Sequence, residues 1–143
     1  MPASAIVNAT AGILQTALPN ATVYVGEPTA VNDPIFIYLL HGDYAPDLPK
    51  GGPQNIQRHH LLRLTLLVNA NADPLQAESD YMDISDTIQG LFYGNHLLSG
   101  TAATCVLQPV PGGPVPYASY QGGLYRHRRW TLDVTEYITY ALA

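Results

Sequence analysis

The residues HHLLRLTLLVN, numbered 59–69, decide the fold because their polarity alternates along the chain. The even-numbered positions begin with His60 and are otherwise apolar: Leu62, Leu64, Leu66 and Val68. The intervening set is mixed in polarity: His59, Leu61, Arg63, Thr65, Leu67 and Asn69. A period of two residues is typical of a β-strand that buries one face. We therefore predict a central strand with the first set in the core.

A long helix is predicted downstream of this strand. Asp73 and Pro74 are a favourable N-cap and first-turn pair, and the helical pattern continues to about Tyr93. Apolar residues three and four positions apart define its core stripe: Ala77, Tyr81, Ile84, Ile88, Leu91 and Phe92. The acidic residues outside this stripe are expected to point away from the core: Glu78, Asp83 and Asp86.

The remaining elements extend this strand and helix into an α+β fold. Residues 4–18 have the amphipathic period of a helix. The other predicted strands are rich in β-branched and aromatic residues: 22–25, 34–40, 103–110, about 117–125 and 128–140. The first two of these are expected to form a hairpin. The order of elements predicts a single domain over residues 1–143, with two helices packed on one face of a mostly antiparallel mixed sheet.

Residues 42–57, GDYAPDLPKGGPQNIQ, contain three prolines and three glycines without a regular period. Neither helical nor sheet hydrogen bonds are expected to run through such a segment. We predict a long exposed loop here. Loops of this length are usually functional, so the segment is a candidate contact element, and an insertion without a role is the alternative.

Composition excludes several classes of protein. The 143 residues are 47% hydrophobic and 12% charged, which provides enough apolar material for a core and argues against disorder. The formal net charge of −5 argues against a general attraction to nucleic acid. Cys105 is the only cysteine, so an intrachain disulfide and a thiolate zinc cage are both excluded. No apolar run is long enough for a membrane span, and we expect a soluble intracellular protein without membrane contact.

Catalytic motifs are not evident in the sequence. The glycine pairs lack the spacing of phosphate-binding loops, and Cys105 lies in an apolar strand where a thiol is usually inert. His59 and His60 are neighbours on a strand and must point to opposite faces, so they cannot bind one metal ion together. A metal site would require His41 and Asp43 or His96 to converge on one of them. We predict a non-enzyme without cofactor, catalytic residue or bound metal.

Charge is distributed in two oppositely charged segments. Residues 71–100 contain five acidic residues and no Lys or Arg, whereas residues 125–130, YRHRRW, contain half of all basic residues. In a head-to-tail ring, the acidic helix of one subunit can face the basic strand of the next. A basic edge strand that resists unwanted pairing is the first alternative, and a basic nucleic-acid patch, which would contain only three guanidiniums, is the second.

Tyrosine is also unusually common, with ten residues against two Phe and one Trp. Because tyrosine suits apolar surfaces with a wet edge, several tyrosines are candidates for subunit contacts. Together with charged residues, the candidate contact residues for a subunit or partner interface are Asp43, Tyr44, Asp47, Lys50, Asp83, Asp86, Tyr117, Tyr120, Tyr125, Arg126 and Arg128.

The chain resembles the tail-terminator, or tail-completion, proteins of long-tailed bacteriophages. The resemblance covers nearly the whole length and rests on the order and rhythm of its segments: a short N-terminal helix, PIFIYLL, the loop, HHLLRLTLLVNA, DPLQAESDYMDISDTIQGLF, NHLLSG and YRHRRWTLDVTEY. Family membership would imply a hexameric ring that caps the tail tube, ends tube growth and offers a surface to the head-completion protein. Such a protein uses no cofactor and performs no covalent chemistry.

The resemblance also implies a place in the virion, at the head-proximal end of the tail, after assembly in the host cytoplasm. DNA would contact the ring only by passing through its lumen, and a net acidic protein limits sticking to phosphates. A head-to-tail connector or stopper protein is the nearest alternative. A small metal-dependent hydrolase that uses His41, His59 or His60 with Asp43 is the alternative from another class.

Overall fold

A computed structural model of the chain describes residues 3–29, 33–49, 55–71, 73–94, 103–109, 117–120 and 122–139. These residues form two helices and six strands in chain order: α1 (Ala3–Ala17), β1 (Thr22–Val25), β2 (Ile35–Pro49), β3 (Asn55–Asn69), α2 (Pro74–Gly94), β4 (Ala103–Pro109), β5 (Tyr117–Tyr120) and β6 (Gly123–Thr139). The strands make one mixed, mostly antiparallel sheet, and both helices pack on one face of it. The α+β fold class expected from the sequence is confirmed.

The strand predicted to be central does lie at the centre of the sheet, whose order is β1-β2-β3-β6-β4 with β5 paired to β6. On one side β3 pairs antiparallel with β6, from Asn55 opposite Thr139 to Asn69 opposite Tyr125. On its other side β3 pairs antiparallel with β2. Every backbone neighbour of β3 is therefore another strand, which explains why its pattern is the most regular in the sequence.

The predicted hairpin between the first two strands is wrong, because β1 and β2 are parallel. In a parallel pair the chain must return to the end of the sheet at which β1 begins before it enters β2, so a tight turn does not join these strands. Gly26 starts this return with a φ of 95°, a conformation that favours glycine, and its N–H donates to the Leu39 carbonyl. The sequence predicted both strands but not the direction of the second.

The prediction of a long loop over residues 42–57 is also wrong. Strand β2 continues to Pro49 and β3 already begins at Asn55, so within this segment only residues 50–54 lie outside the described part of the chain. Two register shifts, after His41 and after Ala45, interrupt the pairing of β2 with β3. Pro46 lies within the second shift, where a missing backbone N–H interrupts no regular ladder. Gly42 lies within the first, where a side chain would press on the Leu61 carbonyl.

Strand β6 runs without a break from Gly123 to Thr139, whereas the sequence predicted that the last strand begins only at Arg128. The turn before it occurs at Gly122, with a φ of 80°, and leaves Tyr120 opposite Gly123. Strand β3 pairs with all of the basic stretch 125–130, and β5 pairs with Tyr125 and Arg126 on the other side, which favours extended backbone through this stretch.

The core lies between the helices and the facing side of the sheet. Helix α2 begins at the predicted N-cap, where the Asp73 carboxylate accepts a hydrogen bond of 3.1 Å from the Gln76 N–H. Helix α1 is tied to β1 by the Gln15 side chain, which donates to the Ala21 carbonyl and accepts from the Val23 N–H. The largest fully buried side chains are Trp130, Phe36, Ile6, Leu14, Ile37, Leu39, Leu62, Leu64, Leu66, Ile88 and Leu132.

We predict that Leu64→Ala destabilises the fold far more than Leu75→Ala. Leu64 is completely buried between β2 and β6, so its truncation leaves a cavity and costs about 2–5 kcal/mol. Leu75 is 86% exposed on α2, and its loss changes stability by only about 0.5 kcal/mol. Urea unfolding of both variants measures the difference, and equal costs would contradict the assignment of the core.

Candidate interaction surfaces

The alternation along β3 and β6 divides the charged residues between two faces of the sheet. Paired residues lie on the same face, and the face that the helices cover contains Leu64 opposite Trp130 and, further along, Leu66 opposite Arg128. The other face, which we call the open face, contains Arg63 opposite Thr131 and Thr65 opposite Arg129. The basic segment 125–130 is therefore split, with Arg126 and Arg128 on the covered face and Arg129 on the open face.

Arg126 forms an ion pair within the chain. Its Nε lies 2.7 Å from Glu78 Oε2 of α2, and its guanidinium carbon lies 3.8 Å from the centre of the Tyr81 ring. The hydrogen bond from Arg126 lowers the pKa of the Glu78 carboxyl. The prediction that Glu78 points away from the fold is therefore wrong. The acidic helix and the basic strand therefore contact each other within one subunit, and Arg126 is already paired in this contact.

Two further candidate contact residues also contribute to the fold. Arg128 is half-buried, and its guanidinium carbon lies 4.9 Å from the centre of the Trp130 ring. Tyr125 is buried on the open face, where its ring meets Phe36 edge to face at 5.6 Å between centroids. Both side chains are explained by contacts within the subunit, whether or not a partner also touches them.

The open face carries its own small apolar cluster. Its buried members are Phe36, Tyr38, Leu67 and Tyr125, with Tyr24 and Leu40 packed against them. The Tyr24 hydroxyl donates to the Asp33 carboxylate, which raises the pKa of Tyr24. This bond joins β1 to the segment that leads into β2. The open face is thus a second, shallower layer of packing rather than a purely polar surface.

A groove of about 430 Å³ lies on the open face beside this cluster. The side chains on this face that line it are Tyr38, Leu40, Arg63, Thr65, Arg129 and Thr131. We call it the open-face groove. Arg63 and Arg129 are both exposed, and among the described residues no carboxylate forms a salt bridge with either. The groove therefore combines apolar walls with two cationic groups available to an anion.

Sequence reasoning did not select Arg63 or Arg129 as contact residues. Arg63 is a single charged residue between two leucines. Arg129 belongs to the basic segment 125–130 in the sequence, which does not show its neighbours across the sheet. Their diagonal placement depends on the register between β3 and β6. Once β3 is paired with β6, Arg63 and Arg129 both fall at positions on the open face, and this shared position is the feature that indicates a common site.

The opposite side of the subunit is formed by the outer surface of α2. Asp83 and Asp86 are exposed there, as the sequence predicted. Leu75 and Met82 are exposed on the same side by 86% and 52%. At 100° per residue, residues 75, 82, 83 and 86 fall within one arc of the helix. We call these four residues the outer α2 surface, which is acidic and partly apolar.

The histidines are distributed as the strand pattern predicted. His60 is buried on the covered face, and its Nδ1 lies 3.2 Å from His41 Nε2. His59 lies on the open face, where its Nδ1 is 3.1 Å from Asp133 Oδ1 and 3.3 Å from Thr135 Oγ1. In the described ranges, no three His, Cys, Asp or Glu side chains come together as a potential metal site. Burial raises the pKa of Cys105, which opposes formation of a reactive thiolate.

The other candidate contact residues are only partly described. Tyr117 of β5 is 40% exposed, and its ring centre lies 5.9 Å from the guanidinium carbon of Arg126. The residues whose side chains, or whole position, lie outside the described part of the chain are Asp43, Tyr44, Asp47, Lys50 and Tyr120, together with His96. Their predicted roles remain predictions.

Comparison of the chain with models of protein families and with curated protein sequences found no match. Within the described residues, neither helix combines the length and apolar character that crossing a bilayer requires. The surfaces described above therefore have to be interpreted from their own geometry and charge.

We predict that Glu78→Gln lowers the melting temperature in a pH-dependent way. The pKa of Glu78 is lowered in the folded state, so its contribution is complete above the unfolded pKa of about 4.3 and is lost as the pH falls through the folded value. The difference from the unmodified chain should be largest at about pH 6–7 and shrink below about pH 4. Thermal unfolding across this range measures it.

Glu27→Gln is the matched control, because Glu27 is exposed and the change of side chain is the same. Arg126→Gln should lower stability as well, and its effect should not add to that of Glu78→Gln because both remove one contact. A Glu78→Gln effect equal to that of Glu27→Gln at every pH would show that the ion pair does not support the fold.

Proposed function

We propose that the chain is a structural assembly protein of the phage tail-terminator type, which forms a ring on the end of the tail tube, stops tube growth and presents a surface for head joining. One observation carries the proposal: a single sheet holds two complementary surfaces on opposite sides of the subunit. The open-face groove is basic and partly apolar, whereas the outer α2 surface is acidic and partly apolar.

Complementary surfaces on opposite sides of a subunit favour head-to-tail association. Such a contact is heterologous, so each added subunit uses one of its two surfaces and leaves the other exposed for the next subunit. The series closes into a ring when the rotation between neighbours divides a full turn, and otherwise continues as a filament. A ring of this kind is what the resemblance to tail terminators implies, and its action requires binding alone.

The length of the strands gives the proposal further support. Strands β2 and β3 have 15 residues each, which corresponds to roughly 50 Å, whereas the 21 residues of α2 span roughly 31 Å. The far ends of β2, β3 and β6 pair with one another, from Pro49 opposite Ile56 to Asn55 opposite Thr139. This three-stranded extension supplies backbone that suits a contact with a tube, a head protein or a neighbouring subunit.

A head-to-tail connector or stopper would share the ring and differ in its partner. Binding to isolated tails and not to filled heads distinguishes the tail terminator from that alternative. The partners expected under the proposal are further copies of this chain, the tail tube protein and the head-completion protein, with DNA passing through the lumen.

Electron microscopy of the purified protein, alone and mixed with tubes grown from the cognate tail tube protein, tests the proposal. We expect closed rings, density at tube ends and shorter tubes as the protein concentration rises. Light scattering during tube polymerisation gives the same result as a lower final signal. A chain that remains monomeric with tubes present and leaves their length unchanged would contradict the proposal, and rings found only on filled heads would favour the connector.

A further inference from the structure

We infer that the open-face groove of one subunit binds the outer α2 surface of a second copy, with Arg63 and Arg129 opposite Asp83 and Asp86. The inference deepens the proposed function, on which it rests, by naming the contact that joins neighbouring subunits. It differs from the pairing suggested by the sequence, since Arg126 is committed to Glu78 of its own chain and Arg128 lies on the covered face.

The charges of the two surfaces are complementary and available. Among the described residues, Arg63 and Arg129 have no acidic partner, and Asp83 and Asp86 have no basic one. An unpaired pair of guanidiniums is unusual in a chain with a net charge of −5, where acidic groups outnumber basic ones. Two of the six basic residues of the chain therefore lie on the open face without an acidic partner among the described side chains, at the site that an acidic helix surface would complement.

The spacing of the charges also fits. Arg63 lies opposite Thr131 and Arg129 lies opposite Thr65, so the two arginines are diagonal neighbours at about 7–8 Å on adjacent strands. Asp83 and Asp86 are three positions apart on a helix, which places their Cβ atoms at about 5–6 Å. Flexible arginine side chains span the remaining difference. Each guanidinium can then bind one carboxylate by donating two parallel hydrogen bonds to it.

Apolar groups accompany the charges on both surfaces. Met82 is 52% exposed beside Asp83 and Asp86, and an adaptable thioether side chain is well suited to an irregular depression. Tyr38 and Leu40 provide the apolar wall of the groove next to Arg63. Nucleic acid, the other anionic occupant to consider, would leave this apolar wall and the exposed Met82 and Leu75 unexplained.

The two surfaces of one molecule cannot meet each other. Helix α2 packs on the covered face through Ala77, Tyr81 and Ile88, so its outer surface points away from the sheet, and the open-face groove lies on the far side. The contact must therefore form between copies. Because each copy offers one surface on each side, the association is head to tail.

Charge reversal in two complementary variants tests the inference. The groove variant carries Arg63→Glu and Arg129→Glu, and the helix variant carries Asp83→Arg and Asp86→Arg. Each variant alone places like charges opposite each other, and we expect its self-association to weaken about tenfold or more in sedimentation velocity. The melting temperature, measured at a concentration at which every sample is monomeric, should be unchanged because all four residues are exposed. An equimolar mixture restores opposite charges at every contact, so it should associate as the unmodified chain does.

Two matched controls place charge changes elsewhere. Glu27→Lys alters an exposed acid outside α2, and Arg128→Glu alters a basic residue of the covered face. Neither should change self-association, and raising the salt concentration should weaken the unmodified chain in the same direction as the groove variant.

Three outcomes would overturn the inference. Self-association of either charge-reversal variant at the unmodified strength would show that another surface joins the subunits. An unmodified chain that stays monomeric while it still caps tubes would exclude a second copy as the occupant. Loss of binding to labelled duplex DNA by the groove variant, with self-association intact, would assign the groove to phosphates. A different result would contradict the proposed function and leave the inferred contact intact: rings form and depend on these residues, but tube growth continues in their presence.

Discussion

The antiparallel pairing of β3 with β6 holds every other feature of the subunit in place. It extends from Asn55 opposite Thr139 to Asn69 opposite Tyr125 and fixes which side chains share a face. A shift of one residue in β3 would bring Arg63 to the covered face in place of a buried leucine, and the same shift in β6 would bring Arg129 there in place of Trp130. Leu62, Leu64 and Leu66 prevent that shift because they are completely buried against the helices. The hydrophobic face thus determines where the charged face lies.

This constraint explains why charge is distributed so unevenly over the two sides of the subunit. The covered face accepts Arg126 only with a carboxylate from α2 and the ring of Tyr81 beside it, since a partly buried cation needs such partners. The open face imposes no such requirement, and its two arginines remain available to an outside anion. A rigid sheet that presents a basic groove on one side and an acidic helix on the other is well suited to repeated head-to-tail contacts.

Features that depend on local pattern could be predicted from the sequence, and features that depend on tertiary pairing could not. The alternation of β3 and the Asp73 cap of α2 are local, and both were predicted correctly. The direction of β1 relative to β2 gives no periodic signal, because side chains alternate in the same way in parallel and antiparallel strands. The continuation of β2 through Pro46 depends on a register shift against β3, which the proline content alone argues against. The ion pair of Arg126 joins residues 48 positions apart in the sequence. Arg63 and Arg129 become diagonal neighbours only because β3 pairs with β6.

Cysteine accessibility along β3 measures the two-sided character of the sheet most directly. Single cysteines at positions 61–64 and 129–132 are labelled with a maleimide in dilute solution, and the native Cys105, which is buried, serves as the protected reference. Arg63→Cys and Arg129→Cys should react rapidly, whereas Leu62→Cys and Leu64→Cys should be protected like Cys105. Equal labelling at successive positions, or protection of the Arg63 and Arg129 set instead, would contradict the account.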